Sequence, residues 1–261
     1  MSKRAVFYWA ASRGIYVGRV EREYKRSYTQ STMLVSMGDD LELLLPTSRQ
    51  RIVSKSLLVP AGAEVIIATH GNPVTLCFLD NHNQDASVLM RRMQRTACDD
   101  HTLIHHHLDG VQDVIAFGEH LQKERPLAHE AESIADEWLF ARIRKHRVAD
   151  SRVEEAIRLI RASLSENTSV DLIARQVGLS ASRLAEVFKA VTGVPIRRFR
   201  LWQRVLATAA QLKHASSLTD AAMAAGFADY AQFSRTYRLL AGGNPSEAQR
   251  HTEIHAELFL R

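Results

Sequence analysis

The sequence predicts an α+β protein of two domains: a small β-barrel with trailing helices, then an all-α domain that carries two helix-turn-helix motifs. Three observations support this fold class. The 261 residues suit two domains of ordinary size. Short apolar runs bounded by turn residues fill the first third of the chain. Two later segments each show a helix, a glycine, a polar cap and a second helix.

The N-terminal runs are typical of β-strands because each is short and stops at a turn residue. They are Leu41–Leu45, Arg51–Val59, Glu64–Ala68 and Val74–Leu79. Several such strands at regular spacing indicate a small barrel or a sandwich. We expect this barrel to cover about residues 1–95, within an N-terminal domain of about residues 1–148.

The pattern becomes helical from Ala86 onward, so we expect helices over about residues 96–148. The predicted segments are a helix near Val88, Leu89 and Met93, a short segment at Leu103 and Ile104, a helix from Val111 to Gln122, and one from Ala128 to His146. An apolar stripe on the last helix would pack either on a second copy or on the chain's own barrel. It comprises Ile134, Trp138, Leu139 and Ile143. The charged segment Lys145–Ser151 is the predicted domain boundary.

The first helix-turn-helix motif is predicted at about residues 169–190, after a helix from Arg152 to Leu164. Its first helix would bury Leu172, Ile173 and Val177. Gly178 suits the end of that helix, and Ser180 suits the N-cap of the next. Leu184, Val187, Phe188 and Val191 form an inward stripe. The opposite face would lie in a DNA major groove, which makes its residues base-reading candidates. They are Ser182, Arg183, Ala185, Glu186 and Lys189.

The second motif, at about residues 217–240, repeats this design. Gly226 forms the turn and Asp229 is the expected cap, while Phe233, Tyr237 and Leu240 would be buried. The base-reading candidates are Tyr230, Ala231, Gln232, Ser234 and Arg235. Gln can bond adenine through two hydrogen bonds and Arg can bond guanine, so this chemistry suits base edges.

A single long helix, at about residues 195–213, is predicted to connect the two motifs. It would hold two reading helices on one face, so that they enter successive major grooves about 34 Å apart. Basic side chains along this region either contact phosphates or form a solvated basic face. These phosphate candidates are Arg197, Arg198, Arg200, Arg204 and Arg238.

The region from Asp171 to Gln249 resembles the DNA-binding domain of the AraC/XylS family of bacterial transcription regulators. The resemblance rests on Val177-Gly-Leu-Ser180, Thr192-Gly-Val-Pro195, Ala225-Gly-Phe227, Gln232-Phe-Ser-Arg235 and Gly242 to Ser246. It covers about two-fifths of the chain, and two tandem motifs at this spacing are far more specific than one. Arg204 matches an Arg that is common in the family. In the alternative interpretation this Arg is a structural residue rather than a phosphate contact.

This resemblance implies an activator that binds double-stranded promoter DNA in a sequence-specific way and contacts RNA polymerase. Two cysteines without a partner at redox-motif or metal-ligand spacing favour a reduced, cytoplasmic setting. It implies a cupin-like N-terminal barrel for sensing and dimerisation, about residues 1–148, and a DNA-binding domain of about residues 149–261. A small-molecule or protein effector and a homodimer are the further partners that it suggests. No cofactor is expected, and no membrane partner.

The charge distribution agrees with contact to phosphate. Of a formal net charge of +5, the residues from Asp150 onward contribute +4, from 15 Lys plus Arg and 11 Asp plus Glu.

The N-terminus lacks a convincing apolar signal-peptide core, because Arg13 and Gly14 follow soon after the first apolar residues. Cys77 fits a small core residue, and neither it nor Cys98 has a partner at metal-ligand spacing.

Two other function classes stay open. A metal-dependent cupin enzyme would need histidines that converge inside the barrel, whereas the histidine cluster follows the predicted barrel, in a loop or at a helix start. The histidines considered are His70, His82, His101, His105, His106 and His107. We find no catalytic nucleophile or paired carboxylates and expect no enzyme. An architectural DNA-binding protein without a ligand is the third class.

Overall fold

The computed structural model describes residues 4–9, 13–20, 23–79, 85–97, 102–140, 150–166, 168–212, 214–241 and 243–256. The strands are β1 Ala5–Trp9, β2 Gly14–Arg19, β3 Glu23–Ser27, β4 Ser31–Ser36, β5 Leu41–Leu44, β6 Arg51–Ser54, β7 Ser56–Val59, β8 Glu64–Ala68, β9 Pro73–Leu79, β10 Gln94–Ala97, β11 Leu103–His106 and β12 Thr252–Ala256. The helices are α1 Asp85–Arg91, α2 Val111–Glu124, α3 Ala128–Trp138, α4 Ser151–Ala162, α5 Val170–Gln176, α6 Ala181–Thr192, α7 Ile196–Gln211, α8 Leu218–Ala224, α9 Tyr230–Ala241 and α10 Pro245–His251.

The strands form two sheets. The larger sheet has eight strands in the order β10-β11-β7-β4-β9-β2-β1-β12, and the smaller has four in the order β3-β8-β5-β6. Each sheet has two edge strands, so among the described residues neither sheet closes on itself. The two-domain, sheet-then-helix organisation agrees with the sequence prediction, whereas the cupin-like barrel stays a prediction. The expectation of an all-α C-terminal domain was wrong, because its segment Thr252–Ala256 is strand β12 and pairs with β1 of the large sheet.

Alternating side chains in the large sheet supply two separate cores. In β4, Leu34 packs with Leu43 and Ile67 of the small sheet. Its neighbours Met33 and Val35 point the other way and pack with residues of α2 and α3. The large sheet therefore lies between the small sheet and a layer of helices, which explains why all six residues of β4 are buried.

Two sequence predictions in this domain need correction. The run Arg51–Val59 is two strands, β6 and β7, that belong to different sheets. The Ser54 hydroxyl donates to the Ser56 carbonyl at 2.9 Å, and this local bond takes the place of a ladder bond where the chain crosses over. The histidines His105 and His106 lie in strand β11, not in a loop or helix start. Their strand has only four residues, with two apolar residues followed by two histidines, so it lacks the apolar alternation that marks a strand.

The apolar stripe on α3 packs on the chain's own sheet. Leu139 is buried with Val6 and Tyr8 of β1, and Ile134 is partly buried against the same cluster. Trp138 is 40% exposed and lies beside the rings of Phe117 and His120. The helix ends at Trp138 rather than at His146. Ile143 and most of the predicted boundary segment fall in residues 141–149, outside the described residues, as do His82, Cys98 and His101.

The helical domain has one core of its own and shares a second with the sheets. Residues of α4, α5 and α6, among them Ile157, Ile173 and Phe188, form a separate cluster with Phe199 of α7. Trp202 of α7 and Phe233 of α9 belong instead to the cluster between the two sheets. The first helix-turn-helix motif therefore has a separate core, against which Ala61 of the N-terminal domain packs, while the core of the second is merged with that of the sheets. Within the described parts of the chain, no helix is long and apolar enough to cross a bilayer.

Candidate nucleic-acid interface

The first helix-turn-helix motif consists of α5 and α6, which are joined by a tight turn. Gly178 has φ 70°, in the left-handed region that favours glycine. The Leu179 amide donates to the Ala174 carbonyl at 2.9 Å and closes the turn. Ser180 caps α6, since its hydroxyl accepts from the Arg183 amide at 3.2 Å. Leu172, which the sequence places on the buried face, is instead 47% exposed. The buried face of α5 consists of Ile173 and Ala174, and Leu172 lies beside it.

The exposed face of α6 carries all five predicted reading residues of the first motif. Ser182, Arg183, Ala185, Glu186 and Lys189 are all exposed. Arg183 and Glu186 form an ion pair of 2.8 Å on this face. Because both side chains are well exposed, the pair contributes only about 0–1 kcal/mol and is readily exchanged for a contact with DNA. The face is accessible, and Lys189 adds a second cation to it.

The second motif consists of α8 and α9. Gly226 has φ 94° and forms the turn. Asp229 is the predicted cap, and its carboxylate accepts from the Gln232 amide at 2.6 Å. The turn is closed by the Phe227 amide, which donates to the Ala222 carbonyl at 3.0 Å. The two motifs therefore use the same local devices: a glycine with positive φ and a polar N-cap.

The reading face of α9 is narrower than predicted. Ala231 and Arg235 are exposed, but Ser234 is only 6% exposed and points into the core. Its position follows from the helical period, since its neighbour Phe233 is the main buried residue of α9. Ser234 is therefore not available to read a base in this arrangement.

Two candidates at the start of α9 already have protein partners. The side-chain carbonyl of Gln232 accepts from the Ala228 amide at 2.9 Å, so a two-bond contact with adenine requires this bond to open. The Tyr230 hydroxyl lies 2.8 Å from the Ser246 hydroxyl of α10. This bond ties the first turn of the second reading helix to the helix that follows it.

The arginines of α7 point in different directions. Arg197 is exposed on α7, and Arg238 is exposed on α9. Arg204 is 7% exposed and donates from Nε to the Leu164 carbonyl at 3.0 Å, which makes it a structural residue that joins α7 to the end of α4. The structure thus favours the structural interpretation of Arg204 over phosphate contact.

Arg198 and Arg200 are also turned toward protein. Arg198 donates to the Ser27 carbonyl of the N-terminal domain. Burial lowers the pKa of both guanidinium groups. Of the five predicted phosphate candidates, Arg197 and Arg238 are therefore the two fully exposed ones.

An interface between the two domains lies along α7. The indole Nε1 of Trp202 donates to the side-chain oxygen of Gln30 at 2.8 Å, and both residues are buried. The ring of Trp202 lies 5.3 Å from that of Phe78 in β9. Sequence reasoning assigned Trp202 only to a helix stripe and missed Gln30 altogether. A buried Trp needs an acceptor for its N–H, and this need is the signal that could have led to a search for a polar partner.

A cavity of about 290 Å³ opens beside this interface. Its walls come from the large sheet, from α7 and α9, and from the C-terminal segment α10–β12. Most of the lining is apolar, for example Leu76, Leu206 and Ile254. Arg19 and Arg26 bring positive charge to it, against one carboxylate, that of Glu247. Such a site fits a small apolar molecule with an anionic group.

Comparison with known proteins supports both the helical domain and the whole fold. A family described as a helix-turn-helix domain matches residues 173–251. The arabinose operon regulatory protein of Escherichia coli is 33% identical over 108 residues, which are 39% of this chain and 36% of that protein. The match thus spans about a third of the length of this curated relative.

Solved structures of ToxT from Vibrio cholerae are similar over almost the whole chain. A ToxT variant without ligand has a TM-score of 0.60 at 11% identity and covers 93% of this chain and 98% of its own. Wild-type ToxT bound to an unsaturated fatty acid has a TM-score of 0.57 at 12% identity and covers 96% and 98%. At this identity the likeness shows the fold alone: a sheet-rich N-terminal domain followed by a helical C-terminal domain.

Proposed function

Because this chain carries the DNA-binding domain of the AraC/XylS family, we propose that it is a sequence-specific transcriptional regulator that activates promoters in the cytoplasm of a bacterium. The single observation that carries this proposal is the pair of capped helices α6 and α9, each with an exposed polar face at the second position of a helix-turn-helix motif. A helix in this position enters the DNA major groove.

The exposed side chains divide into two roles in this proposal. Arg235 reads a base edge, since a guanidinium can donate two bonds to guanine. Arg197 and Arg238 contact phosphates and position the domain without reading sequence. The first motif adds Lys189 together with Arg183, once its ion pair with Glu186 opens. Double-stranded promoter DNA is thus the principal partner, with RNA polymerase as the second.

We place a small-molecule effector in the cavity between the domains. Its apolar walls and the cations Arg19 and Arg26 suit an amphipathic carboxylate. The unsaturated fatty acid bound to the similarly folded ToxT belongs to that chemical class. Because both domains contribute walls, a ligand here changes the contacts between them and so the geometry that the two reading helices present to DNA.

The effector is tested by thermal unfolding of the full chain with oleate and with oleyl alcohol, which has the same chain but no charge. We expect oleate to raise the unfolding temperature more than the alcohol, and Arg26→Gln to abolish that difference. Arg91→Gln, an exposed cation that does not line the cavity, is the matched control. Equal shifts by the acid and the alcohol would refute a role for the arginines in binding a carboxylate.

The regulator itself is tested by pulling down genomic DNA fragments with the purified chain at physiological salt. We expect enrichment of a few promoters that share two short motifs about one helical turn apart. Transcription from such a promoter with RNA polymerase would then show activation. Diffuse, salt-sensitive binding with no enriched motif would instead support an architectural DNA-binding protein.

The described side chains do not favour a metal-dependent enzyme. Among the described residues there is no group of three or more His, Cys, Asp or Glu that could hold a metal ion. His106 bonds to Thr96 at 2.8 Å and His107 lies 3.2 Å from the Ser54 hydroxyl, so these rings are engaged with neighbouring strands. A homodimer remains part of the proposal on the family resemblance alone.

A further inference from the structure

The last described strand of the DNA-binding domain is built into the sheet of the N-terminal domain. Strand β12 begins at Thr252, directly after α10 ends at His251. It pairs in parallel with β1 over five residues, from Ala5 opposite Thr252 to Trp9 opposite Ala256. The two strands are separated by almost the whole length of the chain, so this pairing joins the two domains.

Side chains on both strands reinforce the pairing. Glu253 forms a half-buried ion pair with Arg125, the residue that caps the C-terminal end of α2. Arg125 also donates to the Arg4 carbonyl at 3.3 Å, just before β1. The ring of His255 stacks on that of Tyr8, with centroids 4.9 Å apart and planes 19° apart. Strand β12 is thus fixed to β1 by backbone pairing and ring stacking, and to α2 by an ion pair.

Movement of β12 would pass directly to the second reading helix. No loop separates α10 from β12. Helix α10 packs on α9, and the bond between the Ser246 and Tyr230 hydroxyls joins their first turns. By contrast, the first motif packs in its own core with α4. The position of α9 relative to α6 therefore depends on where β12 is held, as well as on α7, on which α8 and α9 also pack.

Among the described residues, the N-terminal domain leaves the exposed residues of α6 and α9 uncovered. Its influence on DNA binding would then act through the position of the second motif relative to the first. We propose that β12 is a latch: when paired with β1 it holds the second motif at one position relative to the first, and when released it frees the second motif to reorient. The DNA part of this proposal rests on the proposed function, whereas the coupling of β12 to α9 does not.

The Arg125–Glu253 ion pair offers a charge-swap test in the full chain. The variants are Arg125→Glu, Glu253→Arg and the double variant, which restores an opposite-charge pair with unchanged net charge. Glu119→Arg is the control, because it makes the same change in charge as Glu253→Arg at an exposed position of α2. A chain that ends at His251 removes the described strand altogether.

The first readout is hydrogen exchange of backbone amides. We expect each single variant, and the shortened chain, to speed exchange at least tenfold in β1 and in α8 to α10, with no change in α4 to α6. The double variant should return the wild-type rates, and Glu119→Arg should leave them unaltered. A uniform increase over the whole chain, or no increase in α8 to α10, would overturn the latch.

The second readout is affinity for a duplex that the wild-type chain selects from a random-sequence library, measured by fluorescence anisotropy at fixed salt. We expect the single variants to bind it about tenfold more weakly, and to lose less than the wild type when two base pairs are inserted between the half-sites. Equal sensitivity to the insertion would argue against the latch. If the library yields no selected duplex, the proposed function fails, and hydrogen exchange still decides whether β12 holds α9.

Discussion

Replacing the turn glycine of each motif by alanine should have very different costs, although the two turns look alike in sequence. Gly178 has φ 70° and a Cβ there would meet nothing within 4 Å. Gly226 has φ 94°, and a Cβ there would lie 2.5 Å from the Leu164 carbonyl oxygen and 3.0 Å from the Nε of Arg204. Only the second substitution therefore adds a clash to the backbone strain.

The magnitudes follow from these contacts. Left-handed backbone costs an L-residue about 1–2 kcal/mol, so Gly178→Ala should lower the free energy of unfolding by about that amount. In Gly226→Ala the Leu164 carbonyl must move, and it is the acceptor of the Arg204 guanidinium at 3.0 Å. Weakening a hydrogen bond to a charged group adds about 1.5–3 kcal/mol. We expect Gly226→Ala to cost about 2 kcal/mol more than Gly178→Ala.

Urea unfolding followed by far-UV circular dichroism measures both costs, and each variant is the other's control. Equal losses in the two variants would show that the crowding at Leu164 does not matter and would refute the reasoning. A larger loss in Gly178→Ala would do so even more directly. A difference of the expected sign that disappears in an Arg204→Ala background would attribute it to the bond between Arg204 and Leu164.

Three further predictions concern single side chains. Arg235→Ala should weaken binding to the selected duplex by about 1–3 kcal/mol; an equal loss on random DNA, in the same anisotropy assay, would disprove base reading. Arg197→Ala should reduce the slope of log affinity against log salt by about 1, whereas Arg204→Ala should lower stability in urea; a reduced slope for the latter alone would reverse the two roles. Asp150→Ala should remove the N-cap of α4 and cost about 1 kcal/mol near neutral pH. The Arg152 guanidinium bond lowers the pKa of Asp150 to about 2, below its unfolded value, so this stability is present above pH 4 and is lost as pH falls through 2. If urea unfolding shows the same cost of Asp150→Ala near neutral pH and at about pH 2, stability is not linked to the pKa of Asp150.

The helix-turn-helix motifs could be predicted because their determinants are local. Glycine at the turn, Ser180 or Asp229 at the cap and apolar residues at helical spacing all act within a few residues of each other. The structure confirms the caps that the sequence assigned. The prediction of Ser234 as a base-reading residue was wrong, because the buried face of α9 is wide enough to include it beside Phe233.

The features that the sequence did not reveal depend on distant contacts. Which arginine of α7 faces solvent is decided by Leu164 and Ser27, and neither can be assigned as a partner from spacing along the helix. Strand β12 has few residues and no clear alternation, and it becomes a strand because β1 offers it an edge. Strand β11, with its two histidines, was not predicted as a strand because it too has few residues and no clear alternation.

The unequal packing of the two motifs gives regulation a physical basis. If both motifs had independent cores, a ligand between the domains could not alter one relative to the other. Here the core of the second motif is continuous with that of the sheets through Trp202 and Phe233, while the first keeps a separate core. The cavity and β12 both lie on the side of the second motif. In the proposed regulator a change in either one would therefore act first on the second motif, and its readout would be the spacing between half-sites that the chain prefers.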